Sequence, residues 1–67
     1  MIHFKAVKAG TSNKIEGWAD RIRVHYTENE TTIFCLENGK EIPLTLGEVW
    51  EPGTISEFWC EKFTLRA

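Results

Sequence analysis

The chain has 67 residues, 42% of them hydrophobic and 12% aromatic, and a formal net charge of −2. That is material for one domain and too little for two, and so short a chain buries only about 60% of its unfolded surface, leaving a thin core. The acidic balance argues against bulk attraction to nucleic acid or anionic lipid, and no apolar run approaches the roughly 18 residues of a membrane span.

The charge is uneven along the chain. Residues 1–26 carry five cations against two carboxylates (+3), and residues 27–67 carry three against eight (−5). The opening Met1-Ile2-His3-Phe4-Lys5 has neither the apolar stretch nor the small-residue cleavage site of a secretory signal. The expectation is therefore a cytoplasmic chain with Cys35 and Cys60 reduced, and the Asn29-Glu30-Thr31 sequon is read as chance.

In chain order, Met1 to Lys8 sets Ile2, Phe4 and Ala6 against His3, Lys5 and Val7, the period-2 pattern of a strand. Ala9 to Asn13 is a loop by composition. It lacks the spacing of a phosphate-cradling loop. Lys14 to Asp20 reads as a short strand running into the next, with Gly17 marking a bulge or bend.

The stretch Arg21 to Leu46 organises the rest as three consecutive antiparallel strands. Arg21 to Thr27 alternates Ile22, Val24 and Tyr26 against Arg21, Arg23 and His25. Asn38-Gly39 is the preferred pair for a two-residue type I′ turn, because both central residues need positive φ. That turn fixes Glu37 opposite Lys40 and, by counting back, Phe34 opposite Pro43 and Ile33 opposite Leu44. Ile33, Cys35, Ile42, Leu44 and Leu46 then share one face, and Phe34, Leu36, Glu41, Pro43 and Thr45 the other. A two-residue turn at Asn29-Glu30 is preferred, pairing Tyr26 with Ile33 and Val24 with Cys35 and putting the first strand's aliphatics on the inner face; a four-residue loop has the same parity. The middle strand is apolar on both faces and calls for cover on both. Pro43 marks the third strand as a sheet edge.

Pro52-Gly53 is a turn, beside which Trp50 is either a lid on the core or an exposed aromatic. Thr54 to Arg66 reads two ways. As a helix it places Ile55, Phe58, Trp59 and Phe63 on one face with a Thr54/Glu57 capping box. As a strand it places Ile55, Trp59, Phe63 and Leu65 on one face and Ser56, Cys60, Lys62 and Thr64 on the other, and a strand from Phe58 is favoured. The outline over residues 1–67 is a single small, mainly β domain: an antiparallel meander or barrel of about five strands, with room for one short C-terminal helix. It resembles small SH3-like or OB-like barrels in architecture, folds that host unrelated functions.

Two histidines and two cysteines make the ligand count for zinc, but His3, His25, Cys35 and Cys60 lack zinc-site spacing, so no metal or cofactor is expected. Cys60 is flanked by Glu61, which disfavours a thiolate, and Glu48, Glu51 and Glu57 have no reason to converge, so no enzyme is expected. A face of Arg21, Arg23 and His25 with Phe34 and Leu36, extended by Lys5, Lys8 and Trp18, interleaves basic and aromatic groups as a nucleic-acid surface does. Its ordinary alternative is cover of Phe34 and Leu36 by the C-terminal segment, with Arg23 paired with the diagonal Glu41 or another glutamate. The leading expectation is a non-enzymatic protein-binding module: an inhibitor, adaptor or small regulator of the kind bacteria and their viruses use. It would bind through Trp50 with Glu48 and Glu51, or through the edge at Glu41 and Pro43. A homo-oligomeric structural role is the third reading.

Overall fold

A computed structural model describes all 67 residues. Seven strands form one sheet: β1 (Ile2–Lys8), β2 (Lys14–Ala19), β3 (Arg21–Tyr26), β4 (Thr31–Glu37), β5 (Lys40–Leu46), β6 (Thr54–Cys60) and β7 (Thr64–Arg66). The order across the sheet is β2-β1-β6-β5-β4-β3, with β7 beside β6. No helix is present, and none is long and apolar enough to cross a membrane.

The β3-β4-β5 meander is paired throughout. Asn38 and Gly39 both take positive φ (50° and 77°), and the ladder runs Glu37↔Lys40, Leu36↔Glu41, Cys35↔Ile42, Phe34↔Pro43 and Ile33↔Leu44. The β3–β4 connection is the four-residue loop and not the preferred two-residue turn, so every pair shifts by two residues, to Tyr26↔Thr31, Val24↔Ile33 and Ile22↔Cys35. Parity is kept, so Ile22 and Val24 pack against the core. Tyr26 lies beyond it, exposed beside the loop.

Sequence expectation and structure part in four places. First, seven strands form where about five were expected, because the C-terminal segment folds back on itself at Glu61-Lys62 as β6 and β7 and forms no helix. Second, the sheet stays open. Its two edge strands, β2 and β3, are consecutive, separated by Asp20 alone, and do not pair with each other. The bend falls at Asp20, whose N–H donates to the Leu36 carbonyl at 2.7 Å, and not at Gly17, which pairs regularly with Phe4. A Cβ on Gly17 would lie 3.0 Å from the Phe4 ring and 2.8 Å from the Glu37 carboxylate, so glycine there lets β2 approach both.

Third, β6 changes phase. Lys8 pairs with Ile55 but Val7 with Glu57, leaving Ser56 as the extra residue of a bulge. Ile55, Phe58 and Cys60 therefore all face the core, while Trp59 points out, the reverse of unbroken alternation. Fourth, nothing covers the outer face of β4 as a second layer. The C-terminal segment widens the sheet instead, and one curled sheet wraps its own inner face.

That inner face buries Phe4, Ala6, Ala19, Ile33, Cys35, Leu44, Ile55, Phe58 and Cys60, with Ile2, Ile15, Ile22, Val24, Leu46, Phe63 and Leu65 packed around them. Phe58 is stacked between Phe4 and Phe63, with centroids 5.8 Å away on each side. Both cysteines are free. Burial pushes the Cys35 thiol up to about 11, helped by the charge of Glu37 and then by Cys60.

Candidate functional site

Alternation on β1 and β2 puts His3, Lys5 and Val7 on the outer face opposite Trp18, Glu16 and Lys14. The bulge at Ser56 delivers Trp59 to the same face, paired with Lys5. The result is a joined aromatic cluster. The His3 ring lies 4.7 Å from Trp18 in a tilted stack and 5.8 Å from Trp59 edge-on. The Lys5 ammonium sits 5.4 Å from the Trp59 ring centre, a cation–π contact. Trp18 is 56% exposed and Trp59 37%.

Both carboxylates on this face have a partner. Glu16 approaches His3 (3.5 Å to Nε2), a contact that becomes an ion pair when the imidazole is protonated. Glu57 is paired with Arg66 at 3.4 Å. Lys5 and Lys14 form no ion pair. Between them opens a cleft of about 220 Å³, lined by Lys5, Ala6, Val7, Lys14, Glu57 and Trp59.

The basic stripe expected from sequence is split. Lys5 and Trp18 belong to the aromatic cluster, whereas Arg21, Arg23 and His25 lie on β3 in the meander half. There the Arg23 guanidinium covers the Phe34 ring at 4.1 Å and pairs with Glu41 at 3.1 Å. Lys8 stands at the end of β1 beside the Trp50 loop.

Of the residues expected to bind protein, Trp50 (57% exposed) lies in the loop between β5 and β6 with Glu48 and Glu51. Its Cβ packs against Gly10, and Trp50 rims a shallow groove over Leu44 and Ile55, so it is at once a partial lid and an exposed ring. Glu41 and Pro43 are exposed on β5, which pairs with β6 only at Thr45 and Leu46 and so leaves its edge open before them. Gly53 joins loop and edge: its carbonyl accepts from Thr45 N–H at 2.9 Å.

Sequence reasoning did not assemble His3, Lys14 and Trp59 into a site. Alternation alone was enough to put His3 with Lys5 on the face opposite Phe4. Nothing in the local pattern foretold the bulge that turns Trp59 outward. No three of the histidines, cysteines and carboxylates come together as a metal site. Comparison with known protein families, curated proteins and solved structures finds no match.

Proposed function

We propose that the chain is a small non-enzymatic module that binds another protein through the outer face of β2, β1 and β6. The observation that carries this reading is the contiguous Trp18–His3–Trp59 cluster, exposed on a core that closes without it. An aromatic centre with a mixed-charge rim is the anatomy of a binding hot spot, where Trp is enriched and a few residues supply most of the affinity. Three paired strands hold the rings, so little ordering entropy is lost on binding. The Trp50 loop and the β5 edge at Glu41 and Pro43 offer a second, separate contact region.

The same rings with Lys5 and Lys14 favour single-stranded nucleic acid as the second reading, since bases stack on exposed aromatics and lysines meet phosphates. Glu16 and Glu57 on the face oppose it. The test is retention from a nuclease-treated lysate by immobilised wild type and by the Trp18→Ala/Trp59→Ala variant, with folding checked by circular dichroism. A protein held by wild type and lost by the folded variant is the expected result. Equal retention by both would overturn the reading. Retained material that disappears with nuclease and weakens steeply as salt rises would favour nucleic acid.

A further inference from the structure

We propose that the cleft between Lys5, Lys14 and Trp59 seats an acidic side chain from a partner's extended segment. This rests on the protein-binding reading and names the chemistry of the partner. The cleft is below the roughly 300–1,000 Å³ typical of small-molecule pockets, so its about 220 Å³ suits a protruding side chain better than a metabolite. Its walls divide by chemistry. Val7 and the Trp59 ring receive the methylenes of a glutamate, and the Lys5 and Lys14 ammonium groups meet its carboxylate.

Charge selects the occupant. The one carboxylate in the wall, Glu57, is already paired with Arg66 across the β6–β7 ladder, and the neighbouring Glu16 is engaged with His3. Of the residues lining the cleft, Lys5 and Lys14 are the cations, and neither forms an ion pair. The Lys5 ammonium is held beside Trp59, so part of the ordering needed for a charge-assisted hydrogen bond is already in place. Arg23, by contrast, is already paired with Glu41.

The probe is a capped pentapeptide with two Glu-Glu pairs flanking one Leu, titrated into ¹⁵N-labelled full-length protein at low salt. The glutamine counterpart and decathymidylate serve as the comparison arms. Shifts confined to Lys5, Val7, Lys14, Glu57 and the Trp59 indole are expected. Affinity should fall at least about fivefold in Lys14→Gln and rise in Glu57→Gln, with no shifts from the glutamine peptide. The proposal is overturned by silence at millimolar acidic peptide, by an equal response to the glutamine peptide, or by shifts centred on Arg21 and Arg23. Tighter binding of decathymidylate at the same residues would reassign the cleft to phosphate and also overturn it. If Lys14→Gln leaves a lysate partner bound while Trp18→Ala/Trp59→Ala releases it, the acidic-side-chain proposal fails and the protein-binding reading stands. If the peptide binds as expected but the double Trp variant keeps every partner, the protein-binding reading fails instead.

Discussion

The two halves of the sheet carry similar residue types outward and use them differently. On the β3-β4-β5 meander, Arg23 sits over the Phe34 ring and is paired with Glu41, so one cation, one ring and one carboxylate satisfy one another. On β2-β1-β6, the carboxylates are taken by His3 and Arg66, while two lysines and two tryptophans are left facing solvent. A basic and aromatic composition therefore does not define a binding surface. What matters is whether those groups are already spent on each other.

The largest effect expected on this comparison comes from the core that both halves share. Phe58→Ala removes the ring stacked between Phe4 and Phe63 and should cost about 3–5 kcal/mol, read by denaturant unfolding. In so small a domain that approaches the whole stability. Gly17→Val tests the seam where β2 meets Glu37 of β4. The added side chain collides with the Phe4 ring and the Glu37 carboxylate, and a loss of about 1–3 kcal/mol is expected.

Cys35 faces the core from the meander half, and its pKa responds to Cys60 of the other half, so its thiol reports on the same seam by pH. Its folded pKa is raised from 9.0 to about 11, so below pH 9 the thiol is neutral whether the chain is folded or not. Between about pH 9 and 11 the unfolded chain releases a proton that the folded chain retains, and stability falls as pH rises through that window. Thermal melts from pH 8 to 11 should show that decline for the wild type and a shallower one for Cys35→Ala.

Smaller effects separate the two outer faces. Trp18→Ala should cost only about 0.5–1.5 kcal/mol, since it loses the His3 stack but little buried area, yet it should weaken partner binding at least tenfold. Arg23→Ala should cost about 0–1 kcal/mol because its ion pair is exposed, and it should leave that binding unchanged. If Arg23→Ala abolished partner binding while Trp18→Ala did not, the ranking of the two faces would be reversed.

The meander was legible because its signals are local. Asn38-Gly39 needs positive φ at two residues, and that one turn sets the register of every pair back to Ile33↔Leu44. The loop after Tyr26 was legible in parity but not in length, since two- and four-residue connections sort side chains identically. The aromatic cluster was half legible. His3, Lys5 and Trp18 follow from alternation on two strands, whereas Trp59 depends on one unpaired residue, Ser56, in a strand whose sequence also satisfied a helical cap.

By itself the sequence determined a mainly β chain, the register of the Asn38-Gly39 hairpin and the inward set Ile33, Cys35 and Leu44. Each rests on neighbours within about twenty residues and on the two-residue period of a strand. Only the tertiary structure decided which strands lie beside β6, that β2 and β3 do not pair to close the sheet, and that Trp59 joins His3 and Trp18. Those outcomes depend on pairing between distant segments, where a single bulge reverses which side chains meet water.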